Sequence, residues 1–179
     1  EVMQALIPFY PEEMLKSVRY SIGDTSPDGL AGFAIRNGNA AAVTLIDTVA
    51  IGEQVAHVAF TPDGRRALAA KFPGHKVALL EVDGQKVTYT KRDLAVGLWP
   101  YNLDITPDGK LALTADNGNA GGSDGNVDTV SVIDMEANPP RVIDKVVVGE
   151  APEGIAISPT GRLAVAVLLR GSNNAQTEF

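Results

Sequence analysis

The stretch YNLDITPDGKLALTAD, residues 101–116, sets the pattern for most of the chain. Its first half alternates apolar and polar residues, with Leu103 and Ile105 on one face, which is the two-residue period of a β-strand. Residues 106–109, TPDG, predict a type I turn, because proline presets φ at its second position and glycine accepts the positive φ at its end. The apolar run 111–115 predicts a returning strand, so the whole stretch predicts a β-hairpin.

The same hairpin recurs along the chain. Residues 58–70 read VAFTPDGRRALAA, residues 155–167 read IAISPTGRLAVAV, and residues 26–29, SPDG, are a weaker copy of the turn. The turn prolines are spaced by 35, 45 and 52 residues. Repeats of roughly 45 residues with four short strands each are typical of β-propeller blades. A β-sandwich is the alternative, since it also has regularly spaced short strands, but the constant phase of the turn favours the propeller.

These repeats predict an all-β fold, a β-propeller with about three and a half four-stranded blades. The predicted blades cover residues 17–52, 53–97 and 98–149, with a half blade at 150–170. The first unit is too short for separate third and fourth strands, and the fourth unit ends after its second strand. A polar loop, residues 117–126, is predicted between the second and third strands of the third unit.

Composition limits the classes of function. With 179 residues, of which 45% are hydrophobic, the chain has enough apolar side chains for a core. The net charge of −7 argues against a nucleic-acid-binding protein, because such proteins need a basic patch. There is no cysteine, so thiolate chemistry and disulfides are excluded. No apolar run reaches the roughly 20 residues of a membrane span. The sequence begins at Glu1, which is compatible with a removed export signal, and we expect a periplasmic or extracellular location.

Several short motifs carry a resemblance to a known family. They are VSVID at 130–134, VTLID at 43–47, the strand ends VAIG at 49–52 and VVVG at 146–149, and the linker GEAPEGIAISPTG at 149–161 with its siblings at 52–64 and 97–109. Over residues 40–169 the chain resembles the YVTN-type β-propeller repeat family, which includes surface-layer and periplasmic propellers and is similar to the lactonase-like propellers. The resemblance implies a ring of seven blades. We therefore expect a fragment of a longer protein whose remaining blades close the ring, or two copies that complete each other.

The candidate site lies at the channel mouth, where the loop between successive blades enters the inner strand. Alignment of the units puts His57, Asn102 and Gly154 at one position, with Ala56, Tyr101 and Glu153 just before it. These residues differ between units, as ligand-contacting residues do, although solvated loop positions vary in the same way. The candidate ligand-binding residues are His57, Trp99, Tyr101, Asn102, Asp104 and Glu153.

Each candidate also has a structural interpretation. His57 could act as a metal ligand or general base, or it could hydrogen-bond at the rim, whereas His75 in a Pro-Gly turn is expected at the surface. Trp99 and Tyr101 could form an aromatic lip or pack against the next blade. A polar network in the channel wall is the favoured interpretation of Asp104, because a buried carboxylate needs a partner.

No cofactor is identified from the residues, and calcium is the metal considered. Asp116, Asp124 and Asp128 flank a flexible Gly/Asn loop, and oxygen ligands on such a loop suit Ca²⁺, but the spacing differs from that of an EF-hand. The alternative is a mobile polar loop without a metal.

The sequence contains no GxSxG, P-loop or HExxH motif. The first functional hypothesis is a non-catalytic propeller that binds a protein or a small ligand at the channel mouth. The resemblance implies two alternatives. One is a metal-dependent lactonase-like hydrolase, for which Asn102, Asp104 and Glu153 are the available ligands; the other is the propeller subunit of a periplasmic dehydrogenase.

Overall fold

The computed structural model describes residues 19–23, 30–36, 43–119, 122 and 124–171, and it describes side chains from Asp47 onwards. The strands are β1 (Arg19–Gly23), β2 (Leu30–Arg36), β3 (Val43–Ala50), β4 (His57–Phe60), β5 (Arg66–Lys71), β6 (Lys76–Asp83), β7 (Lys86–Ala95), β8 (Pro100–Ile105), β9 (Leu111–Asp116), β10 (Asp128–Asp134), β11 (Arg141–Gly149), β12 (Pro152–Ile157) and β13 (Ala164–Leu168). A 3₁₀ turn at Phe72–Gly74 lies between β5 and β6. Among the described residues, no helix has the length and apolar character needed to cross a membrane.

The strands form four antiparallel sheets, each a meander of consecutive strands. The first sheet is β1-β2-β3, the second β4-β5-β6-β7, the third β8-β9-β10-β11, and the fourth the hairpin β12-β13. The first sheet has three described strands, whereas the second and third sheets have four, as the short first unit predicted. Strand β7 is continuous but bulged, with a register shift opposite Ala78 and Leu80 and a positive φ of 62° at Lys91.

The predicted hairpin turns are present in the second, third and fourth sheets. In the third sheet the Gly109 amide donates to the Thr106 carbonyl at 2.7 Å, and Gly109 has a φ of 72°. The Thr106 hydroxyl donates to the Asp108 carboxylate at 2.6 Å. Gly64 and Gly161 repeat this backbone bond and the positive φ. The turn at residues 26–29 lies outside the described residues.

Small and branched apolar side chains fill the spaces between sheets. One cluster joins the first and second sheets and includes Val49, Ala69 and Leu80. A second cluster joins the second and third sheets and includes Leu68 and Leu103. Alternate residues of β5 therefore face opposite neighbours, as expected for a strand buried on both sides.

In such a meander the loops alternate between the two ends of the sheets. The TPDG-type turns lie at one end, which we call the turn end. The loops that join one sheet to the next, at 51–56, 96–99 and 150–151, lie at the other end. The loop at 72–75 and the residues 117–119 and 124–127 lie there too, and we call this the mouth end. The inner strands β4, β8 and β12 are neighbours in space. Consecutive sheets stacked side by side through their inner strands are the blades of a β-propeller, which confirms the predicted fold.

Candidate functional site

Two of the loops that enter a blade share the same backbone conformation and the same kind of hydrogen bond at the mouth end. Trp99 and Ala151 both adopt a left-handed conformation, with φ of 51° and 55°. The Trp99 amide donates to Nδ1 of His75 at 3.0 Å, and the Ala151 amide donates to Oδ2 of Asp128 at 2.8 Å. Each acceptor comes from the preceding blade: His75 directly precedes its third strand β6, and Asp128 is the first residue of its third strand β10. We call this hydrogen bond the junction latch.

His75 is therefore not the surface residue that its Pro-Gly surroundings suggested. Its side chain is half-buried, and the latch requires Nδ1 to be the unprotonated nitrogen, so that a neutral His75 carries its proton on Nε2. Its own φ of 56° completes the turn after Phe72. His75 thus fixes the position of the aromatic residue that opens the third blade.

An aromatic cluster surrounds this latch. The ring centroids of Phe72 and Trp99 are 5.2 Å apart, and those of Phe72 and Tyr101 are 6.3 Å apart in an edge-to-face arrangement. The rings of Trp99 and Tyr101 thus pack on the preceding blade rather than on the next one. Tyr101 remains 44% exposed and Leu98 57% exposed, so the cluster presents an apolar surface at the mouth end.

His57 begins the inner strand of the second blade. Its Nδ1 is buried and has no hydrogen-bond partner among the described residues. Burial lowers the pKa of His57, and the nearby negative charge of Asp104 opposes this effect. The imidazole is thus held in its neutral form over a wider pH range than a solvated histidine.

The other inner-strand candidates have unequal roles. Asp104 accepts from the Ile105 amide at 2.8 Å and from the Ile157 amide of β12 at 2.7 Å. Its carboxylate therefore joins the third and fourth blades, which agrees with a polar network in the channel wall. The side chains of Asn102 and Glu153 are half-buried and form no hydrogen bond within the described part of the chain.

Within the described residues, the calcium candidates Asp116, Asp124 and Asp128 are not grouped as metal ligands. Asp116 is buried and accepts hydroxyl hydrogen bonds from Thr114 at 2.7 Å, Thr129 at 3.0 Å and Ser131 at 2.6 Å. Burial raises the pKa of Asp116, and these three hydroxyl groups act in the opposite direction. The described residues contain no group of three His, Cys, Asp or Glu side chains placed to hold a metal ion.

The hydrogen-bonded group of Asp116 and its three hydroxyl donors also explains why residue 97, in the loop that enters the third blade, is a glycine. The Gly97 amide donates to the Ser131 hydroxyl at 3.0 Å, and a Cβ at Gly97 would overlap the Asp116 carboxylate. Only glycine therefore fits, and the loop is drawn tightly onto its own blade.

A second buried polar cluster was not predicted from the sequence. Lys71 is buried at the mouth end of β5 and donates to Asp93 at 2.8 Å, forms an ion pair with Glu53 at 3.1 Å, and lies 3.4 Å from the Tyr89 hydroxyl. Burial opposes its charge, but these partners outweigh burial and raise the pKa of Lys71. Glu53 lies 18 residues before Lys71 and Asp93 lies 22 residues after it, so no local sequence motif predicted this cluster.

A cleft of about 550 Å³ lies at the turn end, away from the predicted mouth. Two TPDG turns line it together with Arg66 and Lys110. Arg66 already donates to the Met135 carbonyl at 3.1 Å, and Lys110 lies 3.6 Å from Glu136. Arg66 and Lys110 are thus each already engaged by a neighbouring residue of the cleft.

Solved structures share this architecture. A protein of Bacteroides fragilis provisionally named a 6-phosphogluconolactonase is 17% identical, with a TM-score of 0.62 over 88% of this chain and 50% of its own. A protein from Lactobacillus plantarum is 18% identical, with a TM-score of 0.64 over 86% of this chain and 49% of its own. Hydrazine synthase of Kuenenia stuttgartiensis is 25% identical, with a TM-score of 0.59 over 80% of this chain and 40% of its own.

The chain shares the fold of the lactonase-like propellers. It spans about half the length of the solved structures that it matches. No protein-family model matches the sequence, and no curated protein does. The resemblance to the YVTN-type repeat therefore stays a prediction.

Proposed function

We propose that this propeller is a non-catalytic binding protein that takes a protein segment or a small ligand at its mouth end. The observation that carries the proposal is the aromatic cluster of Phe72, Trp99 and Tyr101, which is fixed by the junction latch yet leaves Tyr101 44% exposed. Rigid aromatic side chains supply binding surface at low entropic cost, and they dominate many interfaces.

Polar residues on the inner strands of the third and fourth blades support the same proposal. Asn102 follows Tyr101 on β8. Glu153 occupies on β12 the position that Tyr101 occupies on β8. Both side chains have hydrogen-bonding capacity that the described protein does not use. An apolar surface with a few available polar groups is the usual composition of a ligand site.

Ligand titration, followed by the fluorescence of the single tryptophan, tests this proposal directly. Trp99 is the one tryptophan in the sequence, so its fluorescence reports on the mouth without labelling. We expect a panel of sugars, aromatic acids and short peptides to contain ligands that change this fluorescence saturably. For such a ligand, Tyr101→Ala should weaken binding about ten-fold or more, and Asn102→Ala should weaken it less.

Lys110→Ala at the turn end is the matched control, because Lys110 is exposed and far from the mouth. Ligand affinity that survives Tyr101→Ala and Asn102→Ala unchanged would place binding elsewhere and overturn the proposal.

The alternative of a metal-dependent lactonase-like hydrolase has the provisional name of the Bacteroides neighbour in its favour. At 17% identity, that similarity supports the fold alone. Of its three available ligands, Asp104 already binds two backbone amides, while Asn102 and Glu153 remain available. Lactone hydrolysis that depends on added divalent metal, with loss of activity in Glu153→Gln, would support this alternative instead.

Three further expectations remain proposals: membership of the YVTN-type repeat family, a periplasmic or extracellular location, and completion of the ring by further blades or a second copy. A role as the propeller subunit of a periplasmic dehydrogenase would require co-purification with a redox-active chain.

A further inference from the structure

A cavity of about 330 Å³ lies between the second and third blades, beside the turn-end cleft. Strands β5, β6 and β7 of the second blade form one wall, and the loop between β10 and β11 of the third blade forms the other. Both blades have all four strands, so described residues define the cavity on both sides. Its size is in the range of small-molecule sites. The lining residues that determine its chemistry are Arg66, Leu79, Glu81, Thr90, Arg92 and Asn138.

Arg66 departs from the repeat at this position. Five residues after the start of each hairpin turn, the second blade has Arg66, whereas the third and fourth blades have Leu111 and Leu163. Arg66 shares its face of β5 with Leu68, which packs against the third blade. Its Nη1 donates to the Met135 carbonyl at 3.1 Å, which fixes the guanidinium and leaves its other N–H groups available within the described chain. A charged side chain therefore replaces an apolar one where the second blade faces the third.

The bulge in β7 directs Arg92 into the same cavity. Lys91 has a φ of 62°, and the pairing register with β6 shifts there. The Thr90 hydroxyl accepts from the Arg92 amide at 3.2 Å and so holds the bulge in place. Lys91 consequently lies over the Tyr89 ring, with its ammonium 4.8 Å from the centroid, whereas Arg92 lines the cavity. Bulges of this kind re-aim side chains and are common beside functional sites.

The positive charge of the two arginines is not balanced inside the cavity. Among the described residues, neither Arg66 nor Arg92 forms an ion pair with an acidic side chain. Glu81 pairs with Arg66 in the strand register, but its carboxylate is exposed and does not bridge to it. The charge of Arg66 also reaches the exposed Asp63, whose Oδ1 already accepts two local hydrogen bonds. Two guanidinium groups thus line one cavity together with a single carboxylate.

We propose that this cavity binds a small molecule through a carboxylate or phosphate group that accepts hydrogen bonds from Arg66 and Arg92. Guanidinium groups match the geometry of both oxyanions and form charge-assisted hydrogen bonds with them. Leu79 supplies an apolar wall for the rest of the molecule, and the exposed Asn138 supplies a further polar group. The site is separate from the aromatic cluster at the mouth end.

Calorimetric titration of the whole chain at low salt tests the proposal. The probes are phenyl phosphate, benzoate and, as the neutral control, benzyl alcohol. We expect at least one of the two anions to bind saturably at one site per chain, and the alcohol not to bind. The anion that binds more tightly shows whether the site prefers phosphate or carboxylate.

Three arginine variants locate the binding. Arg66→Leu, which introduces the residue of the third and fourth blades, and Arg92→Gln should each weaken anion binding about ten-fold. The matched control is Arg65→Gln, because Arg65 is exposed and next to Arg66 but does not line this cavity. Its effect should be less than about two-fold, as for a screened surface charge.

Nuclear magnetic resonance gives an independent location. A bound anion should shift the amide signals of residues 79–81 and 90–92 and leave those of Trp99 and Tyr101 unchanged. Absence of anion binding, equal affinity for the alcohol, equal losses in all three arginine variants, or shifts confined to the mouth end would each overturn the proposal. Arg92→Gln changes an exposed side chain, so the comparison with Arg65→Gln remains decisive even if Arg66→Leu does not fold.

Discussion

At the scale of single residues, the chain uses aspartate in two opposite environments. Asp108 is an exposed turn residue whose carboxylate accepts from the Thr106 hydroxyl and the Lys110 amide, and these bonds lower its pKa. Asp116 is buried, and burial raises its pKa despite three hydroxyl donors. One aspartate is thus stabilised in its charged form by folding, and the other is destabilised in that form.

We therefore expect opposite pH dependences for two matched variants. Folding raises the pKa of Asp116 above its ordinary value of 3.8, so the native state holds that proton more tightly and wild-type stability falls relative to Asp116→Asn as the pH rises above this value. Folding lowers the pKa of Asp108, so its stabilisation of the wild type relative to Asp108→Asn is complete above pH 3.8 and is lost as the pH falls below this value.

Urea unfolding of the three proteins between about pH 3 and 7 measures both differences. Parallel curves for the two variants would contradict the environments described for these carboxylates.

At the scale of elements, the junction between the first and second blades depends on a buried cation. Lys71 connects Glu53 in the loop that enters the blade to Asp93 on the outer strand. Tyr89 adds a hydroxyl that donates to Asp93 at 2.6 Å, and its ring centroid lies 5.4 Å from the Lys71 ammonium. The cluster thereby ties the loop that enters the second blade and its strand β5 to its outer strand β7 at the mouth end.

Lys71→Met should destabilise the protein by about 2–3 kcal/mol, because it leaves two acidic side chains without their buried cation. Lys76→Met removes the half-exposed partner of the same Glu53 and should cost less than about 1 kcal/mol. Chemical denaturation measures both free energies of unfolding. Equal losses in the two variants would show that burial of Lys71 does not matter.

Elements that depend on local sequence were predicted well. The turn at 106–109 and strands β5 and β9 follow directly from a Pro-Asp-Gly signal between apolar runs, because each is fixed by its own residues. The clusters around Lys71 and Asp116 could not be predicted, since their partners come from separate strands and are not repeated between blades. The role of His75 was missed because its acceptor function depends on a loop of the following blade.

At the scale of the whole molecule, the fourth sheet has one apolar face that the described residues leave uncovered. Leu163, Val165, Val167 and Leu169 are all more than half exposed. Their counterparts include Leu68 and Ala70 in the second blade, which are fully buried against the third blade. Such a contiguous apolar face favours association.

We expect concentration-dependent self-association of the wild-type chain, and the double variant Val165→Lys/Val167→Lys should reduce it. The free energy of unfolding should change little, because both side chains are exposed. The matched control is Ile143→Lys/Val147→Lys on the outer strand β11, where the side chains are equally exposed but the counterparts in the second blade are not buried between sheets. Sedimentation velocity measures the association, and a monodisperse wild-type monomer at high concentration would contradict the prediction.

The junction latch has a consequence for how such a chain can evolve. The imidazole of His75 at one junction and the carboxylate of Asp128 at the next perform the same task, which is to accept a hydrogen bond from the backbone amide of a residue in the left-handed conformation. After a blade is duplicated, the junction needs only a side chain that can accept this hydrogen bond at the right distance. The type of residue that supplies the acceptor can change. Neighbouring blades can therefore diverge strongly in sequence and still pack against each other. The other residues at the junction can then change and produce new binding specificities.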